Sequence, residues 1–480
     1  MVYCGYITNL KNLRAHPNAD RLMLGECFGN TVCVNLDYYE NELGVYFPTD
    51  GQLSVEFCEQ NNLVRKKDDA GNNIGGYLDP NKRNIGAIRL RGEKSDGLFL
   101  HLDCLTYTGV DLNTFKPGDQ ITVVNGHDIC QKYIPRKNPS AVRAGNRVRK
   151  KKVPVAPLFM EHADTEQLAY NLDAFKLGDH IEITLKMHGT SQRTGYLPVL
   201  KGYKTGSKIA DAFLRNTNPN TCNSYALKLY NLFIQQATPV YDWGYVSGTR
   251  RTVLENYDGG YYGSNEFREE HSKTFEGKLL KGETVYYEVV GFTNDGTSIM
   301  GVADNKKLND KNFIKKYGEI TTFSYGCNPT GKKTMWGVDD LSVFSIDVDV
   351  PKSDLYVYRM TMTNEDGDVI EYSPDFMRYR CEQMGVKSVP VFAQLYLDPV
   401  TLQFETRTPG EIVKNCAECY YAGPDPIGKT HVREGVVVRI VNRPKFTAYK
   451  HKNFEFKVLE NIIKVDAEAP DMEEAQDVTI

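Results

Sequence analysis

Between Arg136 and Lys152 the chain reads RKNPSAVRAGNRVRKKK, with eight basic residues and no acidic one. A run this polar offers no apolar face to bury, so compact structure has to form on either side of it. At 480 residues the chain is in any case too long for one core and suits two or three domains. The run leads into VPVAP, whose proline and valine steps favour extended backbone. Residues 128–157 therefore read as a basic linker. The whole molecule carries a net charge of −4 and is no electrostatic glove for nucleic acid. The local basic run could still neutralise several phosphates with salt-dependent affinity, or serve only as a solvated connector.

Residues 1–127 hold many short strand-like runs, among them LMLGEC, TVCVNL, LGVYF and GLFLHL, without a helical stripe. That pattern predicts a small β-barrel. Residues 158–464 interleave β-rich runs (ETVYYEVVGF, SDLYVYRMTM, REGVVVRIV, AYKHKNFEFKV) with three helical candidates, IADAFLR, NSYALKLYNLFIQQ and DFMRYRCEQMG, which predicts an α+β unit. The last fifteen residues hold six acids and no base, so 465–480 reads as a disordered tail.

Eleven cysteines include one close pair, Cys416 and Cys419, with no second pair or nearby histidine to complete a zinc site. The odd count fits reduced thiols. MVYCGYITNL lacks the pattern of a secretion signal, and no apolar run approaches the roughly 18 residues needed to span a bilayer. These features predict a cytoplasmic protein with no membrane association, and they imply no obligate protein partner.

The chemistry concentrates in charged residues embedded in strand-like sequence. KLGDHIEITLKMHGTS places Ile181, Ile183 and Leu185 on one strand face and Glu182, Thr184 and Lys186 on the other, with Lys186 running into a glycine turn. Lys450 and Lys452 stand two apart, so one strand face would carry both ammonium groups, an arrangement that wants an anion between them. Glu288 and Glu434, equally isolated in apolar runs, could bind a metal or hydroxyls opposite. K-x-x-G at Lys186 is a weak signal by itself, because KSDG at Lys94 and KKYG at Lys315 match it too.

Taken together, these stretches resemble the covalent nucleotidyltransferases: ATP-dependent DNA and RNA ligases and mRNA capping enzymes. KMHGTS resembles their nucleophile motif in its RNA-ligase form, where His188 stands in place of aspartate and Ser191 in place of arginine. SGTRRT is similar to the arginine motif, with Arg250 or Arg251 as the phosphate or ribose ligand. YYEVVG brings Glu288 to the ribose-contacting acid, EGVVVR brings Glu434 to the metal-binding acid, and YKHK brings Lys450 and Lys452 to the α-phosphate pair. DLYVYRM places Tyr358 at the base-stacking position but carries Arg359 where the family has an acid.

IRLRGEKSDGLFL and AHPNADRL resemble the OB-fold module of tRNA-binding proteins, in which Arg91, Gly92, Ser95 and Gly97 form a structural turn. Lys94 is then a loop residue of a binding module, and His16 and Asp20 pack within it. An OB-fold barrel in front of a ligase-type adenylyltransferase domain, with only 28 residues after Lys452, is similar to the Deinococcus-type RNA ligases.

The resemblance implies that Lys186 forms lysyl-AMP from ATP with Mg²⁺ (or Mn²⁺), that AMP passes to a 5′-phosphate, and that an RNA 3′-OH displaces it. Within this reading His188, Gly189 and Thr190 bind nucleotide, Gly189 letting backbone approach the phosphate, and Lys450 and Lys452 help keep the amine of Lys186 neutral. Nucleic-acid contacts fall to Arg91, Lys94, Arg147, Lys150 and Lys151. The substrate would be a nicked RNA duplex or RNA/DNA hybrid, with tRNA among the candidates. Arg193 reads as a surface residue, and Phe454 and Phe456 as core. The same resemblance leaves open a DNA ligase, a capping-type guanylyltransferase, or an RNA-binding protein with a degenerate ligase domain. It also predicts separable modules, so that removing residues 1–127 spares lysyl-AMP formation and impairs sealing.

Overall fold

The computed structural model describes residues 3–66, 76, 78–133, 154–218, 221–254, 257, 262, 265–308, 310–338 and 343–465. The whole basic run Arg136–Lys152, with Arg147, Lys150 and Lys151, and residues 466–480 of the acidic tail lie outside the described residues.

The C-terminal half is built on two sheets. The first has five strands in the order Glu166–Gln167, Thr447–Lys452, Gly435–Ile440, His180–Lys186 and Val391–Tyr396. The second runs Thr238–Gly248, Thr190–Lys204, Glu283–Gly291, Ser353–Thr363 and Val369–Glu371, with Lys387–Ser388 pairing beside the fourth of these. The strand ending at Lys186 belongs to the first sheet and the strand starting at Thr190 to the second. The short turn between them therefore joins the sheets.

The alternation expected along His180–Lys186 is present. Ile181 and Ile183 are buried with Val436, Val438 and Val413, under the helix Pro409–Glu418. Thr408 and Glu411 close the start of that helix with a reciprocal capping box. Glu182, Thr184 and Lys186 face a pocket on the other side. Glu283–Gly291 is buried at every position, as a central strand covered on both faces must be. The three helical candidates form helices, at Lys208–Asn216, Ser224–Gln236 and Pro374–Met384. AYKHKNFEFKV is not one extended run. The strand stops at Lys452, the Asn453 side chain accepts from the Glu455 amide at 3.0 Å, and a helix, Phe454–Val465, begins.

In the N-terminal half, the expected strands form separate small sheets, and among the described residues the pairing closes no barrel. Leu98–His101, Leu43–Phe47, Gly5–Asn9 and Gln120–Ile121 make a four-stranded sheet; Lys11–Ala15, Met23–Cys27 and Asn30–Val34 make a three-stranded one. The reason lies in the burial. Ile7, Val45, Phe47 and Leu98 pack into one core, whereas Leu10, Tyr46 and Phe99 from the same region pack into another. The central sheet is thus covered on both sides rather than curled around one interior. Residues placed in the linker also belong to this half, since Cys130–Lys132 pairs with Gly51–Leu53 in a separate three-stranded sheet completed by Asn84–Ile85.

The turn expected over Arg91–Gly97 is confined to Arg91–Gly92; Glu93–Asp96 is a strand paired with Ala87–Leu90, so Lys94 lies on a strand rather than in a loop. Gly92 and Gly97 take positive φ, and the Ser95 hydroxyl accepts from the Cys33 amide at 3.0 Å. His16 is buried there, its ring lying 3.0 Å from the Leu90 carbonyl oxygen. The two halves are in direct contact: Tyr6 stacks on Tyr170 at 4.6 Å between ring centroids, and Phe28 meets the same ring edge-on at 5.2 Å.

Candidate active site

The turn Met187–Gly189 has little freedom. A Cβ on Gly189 would lie 2.4 Å from the Val289 carbonyl oxygen and 2.9 Å from Glu288 Cγ. The glycine thus lets the turn pack against the Glu288 strand. Gly189→Ala is expected to lower stability by about 1–3 kcal/mol, as overpacking does, read as a drop in the urea midpoint. Thr190 is buried, and its hydroxyl accepts from Arg268, whose other nitrogen reaches the Ser191 carbonyl at 3.2 Å. Arg268, on the helix Glu266–Lys273, was not singled out by the sequence.

Lys186, Glu434, Lys452 and His188 converge at this turn. Lys186 Nζ lies 2.8 Å from Glu434 Oε1, Lys452 Nζ lies 3.3 Å from the same oxygen, and His188 Nδ1 lies 3.6 Å from Oε2. The pairing Lys186↔Gly435, next to Glu434, brings the two strands together. Glu434 is 1% exposed, so its carboxylate meets these three groups away from water. Burial alone would push its carboxyl up; the attraction of Lys186, Lys452 and His188 outweighs this and holds it at about 2. His188 is fixed by its backbone amide donating to Tyr325 Oη at 2.7 Å and by Phe323 and Phe456 packing edge-on at 4.6 and 4.7 Å. Phe454 and Phe456 are core residues, as expected.

The strand carrying Lys450 and Lys452 pairs directly with the one that follows Glu434. Lys452 is held on both oxygens of Glu460 at 3.0 Å as well as by Glu434, so its ammonium is already matched by carboxylates. Lys450 is half-buried, and its charge helps to lower the Asp164 carboxyl. Lys186 Nζ faces the Glu434 carboxylate as well. The expectation that neighbouring lysines keep its amine neutral describes only part of its surroundings.

Glu288, Arg250, Tyr358 and Ser191 line the same pocket as Lys186. Tyr358 Oη lies 2.9 Å from Ser191 Oγ. Of the two arginines in the SGTRRT stretch, Arg250 is the one in the pocket wall, its Nη1 2.6 Å from Asp164 Oδ1; Arg251 is largely exposed and reaches the other Asp164 oxygen at 3.0 Å. Burial opposes ionisation of Asp164, but the two arginines and Lys450 bring its carboxyl below the ordinary range. The far end of the pocket holds Glu182, whose Oε2 accepts from Arg378 and Gln394 at 2.8 Å each, and Arg439, whose Nε is buried without a hydrogen bond.

Arg359, the departure from the motif, is buried. Its Nε lies 3.0 Å from both Glu371 oxygens, its Nη1 is 3.2 Å from His162 Nδ1, and it sits over the Tyr286 and Phe446 rings. Burial, then the nearby charges of Arg359, Arg250 and Arg193, push His162 well below its ordinary pKa. Arg359→Met leaves Glu371 buried beside only the more distant Arg439, 3.9 Å away. It should cost about 3–5 kcal/mol in urea unfolding.

Arg193 is not a surface residue: at 1% exposure it donates to the Thr249 and Phe159 carbonyls at 2.9 Å each and lies over the Phe159 ring. The second sheet is covered on that side by the segment around Phe159, which local sequence could not show. Lys94 is drawn away from the pocket region by Glu455, 3.1 Å from its Nζ, and Arg91 is exposed with its carbonyl accepting from Asn18 at 3.0 Å. Cys416 and Cys419 are free, and among the described residues no three His, Cys, Asp or Glu side chains gather as a metal cluster. Among those residues no helix is long and apolar enough to cross a membrane.

No protein-family model matches the sequence. No curated protein matches it either. Solved structures do: a lysine-to-alanine mutant of Naegleria gruberi RNA ligase with ATP and Mn is 14% identical, with a TM-score of 0.52 over 95% of this chain and 99% of that one. A glutamate-to-alanine mutant of the same ligase with AMP and Mn is similar at 14% identity and TM-score 0.52, over 95% and 99%. A lysine-to-methionine mutant with AMP and Mn gives 14% and 0.51, over 94% and 97%. At this identity the likeness is one of fold: over nearly its whole length the chain is a mixed α/β structure built like those RNA ligase structures.

Proposed function

We propose that this protein is an ATP-dependent RNA ligase that seals 3′-OH/5′-phosphate nicks with RNA on the 3′-OH side. The observation that carries the reading is the meeting of Lys186, Glu434, Lys452 and His188 at the junction of two sheets, with Lys186 opening onto a pocket lined also by Glu288, Arg250 and Tyr358. The fold shared with an RNA ligase whose structures contain ATP or AMP with Mn supports it.

Lys186 Nζ attacks the α-phosphorus of ATP; an N–P bond forms, the bond to pyrophosphate breaks, and the ammonium proton leaves. A 5′-phosphate oxygen then displaces the lysine, and an RNA 3′-oxygen displaces AMP. A divalent cation would be held by Glu434, whose buried carboxylate lies beside Lys186, and by Glu288, which lines the pocket. Two carboxylates with substrate phosphates suffice for Mg²⁺ or Mn²⁺. Such an ion would offset the carboxylate that now holds the Lys186 ammonium and carry charge on the phosphoryl oxygens. Lys452 adds positive charge at the same end, Ser191 and Tyr358 offer hydroxyls, and Arg250 faces the ribose or phosphates.

In this reading the N-terminal half, an OB-like module, and the basic residues Arg147, Lys150 and Lys151 bind the nicked RNA duplex, RNA/DNA hybrid or tRNA. Arg359, the departure from the motif, is engaged in a buried ion pair with Glu371.

The test is incubation with α-labelled ATP and Mg²⁺ followed by denaturing electrophoresis. Label should stay on the chain, be released by pyrophosphate, and pass to a 5′-phosphate at a nick. GTP labelling instead of ATP would point to a capping enzyme. Equal sealing with DNA on the 3′-OH side would point to a DNA ligase.

A further inference from the structure

The helix Phe454–Val465 touches both halves of the molecule. On its first turn Glu455 Oε1 lies 3.1 Å from Lys94 Nζ, and Lys457 Nζ lies 2.5 Å from Asp96 Oδ2. Both partners sit on the N-terminal strand Glu93–Asp96, and the Lys94 ammonium also lies 4.6 Å from the centre of the Phe454 ring. Further along the same helix, Glu460 takes the Lys452 ammonium on both oxygens at 3.0 Å. Phe456, between them, packs against His188.

Lys452 is therefore shared between two carboxylates, Glu434 at 3.3 Å on the pocket side and Glu460 on the helix side. An ammonium in that position rests where the two attractions balance. Displacing Glu460 lets Lys452 move toward Glu434, the carboxylate that also holds Lys186. A helix hydrogen-bonded along its length moves largely as a unit, so a shift at Glu455 and Lys457 reaches Glu460.

We propose that this helix couples the docking of the N-terminal half to the reacting end of the pocket: Glu460 is a positioning residue for Lys452, and the Lys94–Glu455 and Asp96–Lys457 pairs make its position depend on the N-terminal half. The inference rests on the ligase reading of Lys186. It also replaces the expectation of separable modules, because the N-terminal half then acts on the first chemical step and not only on nucleic acid.

The test uses the full chain, α-labelled ATP and Mg²⁺ without nucleic acid, measuring the single-turnover labelling rate against ATP concentration. Glu460→Gln should lower the saturated rate by about two- to thirtyfold, the range for coupling through a packed element, while half-saturating ATP is unchanged. Asp96→Lys should slow labelling in the same way. The reversed pair, Asp96→Lys with Lys457→Asp, should recover rate, a rescue that general loss of structure would not give. A wild-type rate in Glu460→Gln, a parallel change in half-saturating ATP, or a reversed pair as slow as Asp96→Lys alone would overturn the proposal. Failure of the wild type to label at all would instead overturn the ligase reading beneath it.

Discussion

Lys186→Ala is expected to abolish covalent labelling by α-labelled ATP, a loss of at least about 10⁴-fold and so below detection. Removing a nucleophile deletes the bond-forming atom, and no neighbour can take over. Lys452 is turned to Glu434 and Glu460, and His188 is wedged between Phe323 and Phe456. Lys315→Ala is the matched control: it shares the K-x-x-G spacing but lies on the helix Lys311–Tyr317, away from the residues that line the pocket. Label lost in both variants, or in neither, would sink the assignment of Lys186. Arginine at position 186 should also be inactive, because a guanidinium keeps its proton and cannot attack.

Glu434→Gln should have the second largest effect, on two separate readouts. Amide for carboxylate removes the anion that Lys186 and Lys452 share in a fully buried position, so unfolding free energy should fall by about 3–5 kcal/mol. Labelling should fall by about 10²–10³-fold, as for a lost electrostatic contact to the reacting phosphate or its metal. The pH dependence gives the sign. Glu434 is held at about 2 in the folded chain, below an ordinary carboxylate, so its contribution is present above the unfolded pKa of about 4 and disappears as pH falls toward 2. Wild type should lose stability through that window, and Glu434→Gln should lose less of it. Urea unfolding between neutral pH and pH 3 reads the difference. Parallel curves would mean that the cluster does not hold the carboxyl down.

The sequence by itself placed the alternation along His180–Lys186 and pointed to the candidate charged residues of the site. Alternation placed Lys186 opposite Ile181 and Ile183, and isolated charges in apolar runs singled out Glu288, Glu434, Lys450 and Lys452, because burying a charge is costly unless it is paired or used. Local pattern could not supply partners distant along the chain. Arg193 reads as a surface cation, Arg359 only as a departure from a motif, and Arg268 carries no signal, yet each is buried against carbonyls, a hydroxyl or a carboxylate brought by another element. The same limit hid the end of the last strand, where one asparagine cap turned FEFKV into a helix. It also hid the two cores of the N-terminal half, since short strands fix which residues alternate but not whether a sheet closes on itself. Tertiary structure alone decided that Lys452 is shared between Glu434 and Glu460, because that balance depends on a helix docking where two sheets and the N-terminal half meet.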